Sequence, residues 1–294
     1  MKKEQTYSHS VIAELAKIYP QLYLDPDTHS KEEYREVVLK GKKPAVCDLS
    51  FFQGDERDKD EMTDIPSGQV RVITLYGRRD YEKFIRCMMA AREGPENQIP
   101  ASQGASTLIT FNWTKINQHK EQFFKEQFAA GNKDPDWNEE WKRFSAVKEN
   151  YMDTIVVLSV GPYSNIDADR MGCSKDEWLE YSNIIRKYHE LTHVICRKEY
   201  PDQINAIWDE LVADAIGLCA AYHSYDPDIE RVFLGITDGR YTGGRLENYT
   251  DDPQGIAPKA DRALKGIAEI IQDHPKAEPF SLIPFIQARQ NEFF

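Results

Sequence analysis

Cysteines and long apolar runs are both scarce in this chain of 294 residues. The five cysteines are scattered along the sequence and form no Cys-x-x-Cys pair: Cys47, Cys87, Cys173, Cys196 and Cys219. Their odd number argues against a disulfide scaffold and favours a reducing, cytoplasmic compartment. The longest apolar runs, such as residues 215–222, fall far short of the roughly 20 residues that span a bilayer. The first ten residues also lack the apolar stretch of a signal peptide, so none is expected.

Clusters of basic residues are missing as well. The 37 Lys and Arg residues are outnumbered by 49 Asp and Glu residues, which gives a formal net charge of −12. Duplex nucleic acid and anionic membrane surfaces are bound through clustered Lys and Arg side chains, so we expect neither as a partner. Hydrophobic residues make up 40% of the chain, enough to form a core and to exclude a disordered protein.

The spacing of hydrophobic residues predicts an α+β fold that is dominated by helices and contains a small mixed sheet. Strands are predicted at residues 69–76 and 154–160, with a short apolar stretch at 107–113. Helices are predicted in the first 40 residues and at 80–93, 174–223, 259–273 and 280–290. Residues 94–106 and 237–258 are predicted to be loops. We expect a single catalytic domain, 1–294, with an α+β part at 1–150 and a helical part at 151–294 that binds the metal.

Residues 188–193 contain the most informative motif, His-Glu-Leu-Thr-His. On a helix, His189 and His193 lie one turn apart on the same face, so both imidazoles can reach one tetrahedral metal ion. Glu190 is offset to a side from which it can hold a metal-bound water. The other interpretation is that both histidines are ordinary helix residues with satisfied hydrogen bonds.

A second helix is predicted to follow closely and to form an antiparallel hairpin with the first. The first helix begins at a capping box, Ser174-Lys-Asp-Glu177, and Asp202 is the predicted N-cap of the second. With a rise of about 1.5 Å per residue, the two histidines and Glu210 lie at similar heights, roughly 12 Å from the turn. Glu210 is therefore the predicted third ligand.

Other carboxylates near Glu210 have different predicted positions. Asp209 points about 100° away from Glu210, and Asp202 lies at the turn itself. Asp214 is one turn beyond Glu210 and can accept the ring N–H of His189 or His193, which would fix the tautomer of that ligand. A helix salt bridge or a solvated carboxylate is the alternative for Asp214.

The two motifs together, His-Glu-Leu-Thr-His and Glu210-x-x-x-Asp214-x-x-Gly217, resemble those of the gluzincin zinc metallopeptidases, whose best-known type is thermolysin. The resemblance covers about 30 residues and suggests a compact variant, because the interval from His193 to Glu210 is shorter than in thermolysin. It implies a zincin-like fold in which His189, His193 and Glu210 bind one Zn²⁺, Glu190 is the general base and Asp214 orients a histidine.

The residue that would stabilise the oxyanion is not identified by the resemblance. The candidates from the sequence are His223, Arg240, Tyr241, Arg245 and Tyr249, and the last four belong to a glycine-containing loop. An extended substrate would pair with an edge strand. Residues 154–160 are the first candidate for that strand and 107–113 the second, although 154–160 fits a buried central strand equally well.

The sequence thus predicts a zinc metallopeptidase that uses a Zn²⁺-activated water and takes a peptide or a small amide as substrate. Two alternatives share the same metal site. One is a zinc hydrolase of a non-peptide amide, and the other is a non-catalytic binding or scaffold protein that keeps the zincin fold.

Overall fold

The structure, a computed structural model, describes residues 10–93, 98–203 and 205–294. Residues 94–97, which belong to the predicted loop at 94–106, lie outside the described residues. The same holds for Ile204, which the periodicity predicts in the core stripe of the second helix of the hairpin.

The chain divides into two compact units. The first comprises Met1–Glu61, Arg71–Pro100 and Thr107–Ser159, and the second comprises Met62–Val70, Ala101–Ser106 and Val160–Phe294. The predicted α+β class is confirmed, because helices dominate the described residues and a small mixed sheet accompanies them. Among the described residues, no helix combines the length and the apolar character needed to cross a membrane.

The elements up to Ser159 include five helices and four strands. In chain order they are α1 (Val11–Ile18), α2 (Lys31–Tyr34), β1 (Lys59–Ile65), β2 (Gly68–Leu75), α3 (Arg78–Glu93), β3 (Ala105–Phe111), α4 (Trp113–Ala129), α5 (Trp137–Phe144) and β4 (Met152–Ser159). The strands form one sheet in the order β1-β2-β4-β3, and β2 runs parallel to β4 with Val72 opposite Val156.

The strand predicted at 154–160 is a central strand of this sheet, because β4 lies between β2 and β3. Residues 155–158 are buried, as expected for a strand covered on both faces. β4 is therefore not the edge strand that a substrate would need, whereas β3, which overlaps the second candidate, lies at an edge. β1 at the other edge is absent from the predicted elements because its sequence, Lys-Asp-Glu-Met-Thr-Asp-Ile, has almost no apolar alternation.

The core of the first unit lies where α1, β2, α3 and β4 meet. Buried side chains of these elements form one cluster, which includes Leu15, Tyr19, Leu75, Phe84 and Val157. The Tyr19 hydroxyl donates to Asp153 at 2.6 Å, so the polar end of this ring is paired.

The elements after Ser159 are mostly helical. They are α6 (Ala168–Met171), α7 (Lys175–Glu199), α8 (Ala206–Tyr222), α9 (Pro227–Leu234), β5 (Ile236–Thr237), β6 (Arg240–Tyr241), α10 (Pro253–Asp273), α11 (Ile283–Gln287) and α12 (Gln290–Phe293). Short helical turns lie at Tyr163–Asn165, Arg245–Asn248 and Pro279–Leu282. The antiparallel pair of β5 and β6 is a small second sheet.

The helices α7 and α8 pack closely against each other and run antiparallel. Their register follows from three contacts: Ile185 faces Gly217, His189 bonds to Asp214, and His193 bonds to Asp209. A Cβ atom at Gly217 would lie 2.7 Å from the Ile185 carbonyl oxygen, so the close approach of the two backbones requires glycine at this position. The predicted capping box begins α7, with Ser174 accepting from the Glu177 amide.

Two predicted boundaries in this unit are wrong. Asp202 does not cap the second helix; α8 begins at Ala206, and the N-cap is Asn205, whose side chain accepts from two amides of the first turn. The predicted loop at 237–258 is also too long, because α10 begins at Pro253 behind an Asp252 cap and contains Pro258. The Gly-, Tyr- and Asp-rich composition of 237–258 predicts a loop, but its last residues form a capped helix start with Pro253 in the first turn, where proline is favoured.

Candidate metal centre

The two histidines of the His-Glu-Leu-Thr-His motif face each other on α7. His189 Nε2 and His193 Nε2 are 3.0 Å apart, and the two ring planes are nearly perpendicular at 88°. Both residues are buried. One turn of helix therefore places two nitrogen ligand atoms side by side, as the sequence spacing predicts.

Glu210 of α8 brings oxygen atoms to this pair. Its Oε2 lies 3.5 Å from His189 Nε2, and its Oε1 lies 3.5 Å from His193 Nε2. In a tetrahedral zinc site with ligand distances of about 2.0–2.2 Å, two ligand atoms are roughly 3.3 Å apart. The three distances of 3.0, 3.5 and 3.5 Å are close to this spacing, although the two longer ones end on different oxygens of Glu210. One ligand atom from each of the three residues lies within 4.8 Å of the other two. Within the described part of the chain, this group has three members.

Glu210 reaches the histidines from a different height than the sequence predicts. It lies four residues into α8, which is about 6 Å from the start of the helix rather than roughly 12 Å. The ligand atoms still meet, because the connection between the helices is longer than the prediction assumed.

The imidazole of His189 has a buried carboxylate behind it. His189 Nδ1 lies 2.8 Å from Asp214 Oδ1, and the Tyr163 hydroxyl donates to the same oxygen at 2.6 Å. With Nδ1 held by Asp214, the Nε2 lone pair of His189 is directed at the triad. Of the two histidines that the sequence predicts as partners of Asp214, the structure brings His189 to it.

The imidazole of His193 has a carboxylate of its own. His193 Nδ1 lies 2.7 Å from Asp209 Oδ2, and the Asp209 side chain is 26% exposed. Each of the two histidines thus has a carboxylate at Nδ1 and turns its Nε2 towards Glu210. Asp209 has a role that its predicted direction on the helix, away from Glu210, did not suggest.

The charges around His193 favour a cation at the site. Burial alone lowers the pKa of His193, but the hydrogen bond that its ring donates to Asp209 and the negative charges of Glu210, Asp209 and Glu190 outweigh it, so the pKa is raised. Glu190, the predicted base, is half-buried and close enough to act electrostatically on this ring. A divalent metal ion would satisfy the same carboxylates that otherwise retain a proton on the imidazole.

Arg245 neutralises the buried Asp214. The Arg245 guanidinium forms an ion pair with Asp214 Oδ2 and lies over the Tyr163 ring, 5.0 Å from its centroid. Burial tends to raise the pKa of Asp214, but the charge of Arg245 and the hydrogen bond of His189 hold it well below its usual range. Asp214 is thus a carboxylate, shared by side chains from three regions of the chain.

Tyr249, four residues after Arg245, lies close enough to Glu210 to feel its charge. Burial together with the negative charges of Glu210 and Asp214 raises the pKa of this phenol, although the charge of Arg245 opposes the shift. The hydroxyl is therefore protonated at neutral pH. Of the loop residues predicted as oxyanion donors, the structure brings Arg245 and Tyr249 to the metal-binding group.

The segment that carries these two residues is held by close backbone packing. A Cβ atom at Gly235 would lie 2.2 Å from the Gly243 carbonyl oxygen, and one at Gly244 would lie 2.5 Å from the Gly235 amide nitrogen. The Thr242 amide donates to the Gly235 carbonyl at 2.7 Å. The chain thus returns to the end of α9 immediately before Arg245.

The remaining predicted donors are not brought to the triad. His223 is exposed and ends α8, 13 residues beyond Glu210, which is about 20 Å along the helix axis. Arg240 is exposed on β6. The Tyr241 hydroxyl is used within its own loop, where it contacts Glu247 at 2.6 Å and accepts from the Gly244 amide at 3.0 Å.

Comparison with protein families gives one match. A model described as a family of unknown function, DUF7005, matches residues 2–277. The chain belongs to the DUF7005 family. Searches of curated proteins and of solved structures find no match.

Two side chains of the centre are absent from the sequence prediction. The predicted direction of Asp209 excludes it only as a metal ligand. The two nitrogens of an imidazole point in different directions, so a carboxylate that misses the metal can still reach Nδ1. Tyr163 lies 26 residues before His189 in a short helical turn, and no spacing rule connects it with the motif. A search for acceptors of both Nδ1 atoms would have identified Asp209 but not Tyr163.

Proposed function

We propose that this protein is a zinc-dependent metallohydrolase, and specifically a metallopeptidase of the compact gluzincin type. The observation that carries the proposal is the grouping of His189 Nε2, His193 Nε2 and the Glu210 carboxylate. The two nitrogens are 3.0 Å apart, and each lies 3.5 Å from one of the two carboxylate oxygens. Two nitrogens and one oxygen are the donor set of hydrolytic zinc sites.

The number of ligands supports a catalytic rather than a structural site. Structural zinc sites have four protein ligands, whereas catalytic sites have three and keep one position for water or substrate. The group found in the described residues has three. The carboxylates behind both imidazoles fix their orientation, which is typical of zinc ligands.

The roles of the side chains follow from their positions. Bound zinc would polarise the scissile carbonyl and lower the pKa of a water molecule. Glu190, next to His189 on α7, takes a proton from the attacking water and gives it to the leaving amine. The Tyr249 hydroxyl, which is protonated and lies at Glu210, is the donor that we assign to the developing oxyanion. Arg245 holds Asp214.

The gluzincin assignment rests on the same pair of helices. Their antiparallel packing supports a zincin-like arrangement, with the His-Glu-Leu-Thr-His motif on α7 and Glu210 and Asp214 one turn apart on α8. All five cysteines are unpaired, which supports a cytoplasmic location.

The test has two steps. Elemental analysis of purified protein should find about one zinc per chain, and the His189→Ala/His193→Ala double variant should lose it. His223→Asn is the matched control, because His223 is an exposed histidine with φ +56°, a conformation that Asn accepts. Zinc at the wild-type level in the double variant would refute the site.

A digest of a peptide library then tests the reaction, with Glu190→Gln as the inactive control. Cleavage by the wild type alone supports a peptidase. Amide hydrolysis of small molecules without peptide cleavage would favour the non-peptide alternative, and a zinc-loaded protein that hydrolyses neither substrate class would favour the scaffold alternative.

A further inference from the structure

Glu230 is a second acidic residue close to the ion pair of Arg245 and Asp214. Glu230 belongs to α9, and its side chain is completely buried. The Tyr225 hydroxyl donates to Glu230 Oε2 at 2.8 Å. Oε1 is buried too, and among the described residues it has no hydrogen-bond partner. A buried carboxyl oxygen without a partner is rare in native proteins and calls for an explanation.

Arg245 presents the complementary group. One of its terminal nitrogens bonds to Asp214, whereas its Nε is buried and has no hydrogen-bond partner within the described residues. Nε–H is a donor, and Glu230 Oε1 is an acceptor. The two atoms do not bond to each other directly. One ordered water between a buried donor and a buried acceptor would satisfy both.

The two side chains come from elements that pack together. α9 contacts both α8 and the helical turn Arg245–Asn248. The charge of Arg245 lowers the pKa of Glu230, although burial and the charge of Asp214, which raise it, prevail. Glu230, Arg245 and Asp214 therefore form one electrostatic group.

We propose that Glu230 is a positioning residue of the metal centre and acts as a second partner of Arg245, through the Nε–H group. Asp214 and Glu230 together fix the plane of the guanidinium, which in turn fixes Asp214 behind His189. Only the expected effect on zinc affinity rests on the proposed function. The pairing of Glu230 with Arg245 stands on the two buried atoms.

Substitutions at Glu230 separate the possible roles. Glu230→Gln keeps an acceptor oxygen and the shape of the side chain, so its zinc dissociation constant should stay within about twofold of the wild type. Glu230→Met fills the space but removes the acceptor. It should raise the dissociation constant about three- to tenfold, below the 10–100-fold effect that is typical of a direct partner of a ligand. Arg231→Ala is the control for a general loosening of α9, because Arg231 is the next residue of that helix and pairs with Asp261 instead.

A double-variant cycle distinguishes positioning from a merely structural role. If Glu230 acts through Arg245, then Glu230→Met should change the zinc dissociation constant less than twofold in an Arg245→Met background. The cycle is measured by chelator competition with zinc alone. Two outcomes would overturn the inference. One is that the two substitutions change the zinc dissociation constant by independent factors, and the other is that Glu230→Gln binds zinc as weakly as Glu230→Met.

The same cycle in urea, with metal-free proteins, gives a readout that needs no zinc. The free energies of unfolding should be coupled between positions 230 and 245 and not between positions 231 and 245. Wild-type protein that binds no zinc would overturn the proposed function, while coupling in urea would still support the pairing. If Glu230→Met does not fold, Glu230→Leu replaces it in both measurements.

Discussion

The Nδ1 atom of His193 lies 2.7 Å from Asp209, and the Nδ1 atom of His189 lies 2.8 Å from Asp214. The two pairs have similar distances, but their carboxylates differ in burial and in neighbouring side chains. Asp214 is completely buried with Arg245 and Tyr163 against it, whereas the Asp209 side chain is 26% exposed. The two carboxylates should therefore influence metal affinity alike and stability differently.

Substitution by asparagine tests this difference. Asp209→Asn and Asp214→Asn should each lower zinc affinity about 10–100-fold, because each removes the carboxylate behind a ligand. In metal-free protein, Asp214→Asn should cost about 3–5 kcal/mol of stability, because it leaves the Arg245 charge without its buried partner. Asp209→Asn should cost about 1 kcal/mol. Urea unfolding and chelator competition measure the two quantities, and equal losses of stability would contradict the assignment.

The mechanism predicts opposite behaviour for two glutamates. Glu190→Gln should keep its zinc and lose about 10²–10⁴-fold in kcat, because it removes the base but no ligand. Glu210→Gln should lose zinc and activity together, because it removes a charged ligand. Zinc content and kcat are measured on the same preparations. Near-wild-type turnover by zinc-loaded Glu190→Gln would show that Glu190 is not the base.

Close packing of α7 on α8 predicts that Gly217→Ala is destabilising. The added methyl would lie 2.7 Å from the Ile185 carbonyl oxygen, so the helices must separate, at a cost of about 1–3 kcal/mol. Gly161→Ala is the matched control, because nothing lies within 4 Å of its Cβ position. Thermal unfolding compares the two, and a Gly217→Ala variant as stable as the control would contradict the observed helix spacing.

The buried acid predicts a specific pH dependence of stability. Burial, followed by the charge of Asp214, raises the pKa of Glu230 well above its ordinary value of 4.5. The stability contributed by the neutral carboxyl is therefore complete below about pH 4.5 and is lost as the pH rises through the folded-state pKa. Glu230→Gln cannot ionise, so its stability relative to the wild type should increase over that range. Urea unfolding of both metal-free proteins from pH 4 to 9 measures the difference; a constant difference would mean that Glu230 does not titrate.

The grouping of His189, His193 and Glu210 could be predicted from the sequence because helical periodicity is a local property. The spacing of His189 and His193 places both on one face wherever the helix lies, and Glu210 and Asp214 likewise share a face of α8. A capping box marked the start of α7 for the same reason. These features need no knowledge of how distant segments pack.

Features that depend on long-range packing could not be predicted. Tyr163 and Arg245 reach Asp214 across 51 and 31 residues of sequence, and nothing in their local patterns indicates a shared partner. The central position of β4 depends on the order of strands in the sheet, which periodicity does not determine. A buried run of β-branched residues is compatible with several positions in a sheet.

The sharing of Asp214 by three distant segments has a consequence for how the site assembles. Residues 174–223 contain every proposed metal ligand, yet the groups that hold Asp214 come from before α6 and after β6. An isolated two-helix fragment would present the ligands on a flexible hairpin, without Tyr163 or Arg245. Tight binding of the proposed metal should thus appear late in biosynthesis, after residue 245 has joined the fold. A nick between α9 and α10 that displaces Arg245 should weaken metal binding even though both helices with the proposed ligands remain intact.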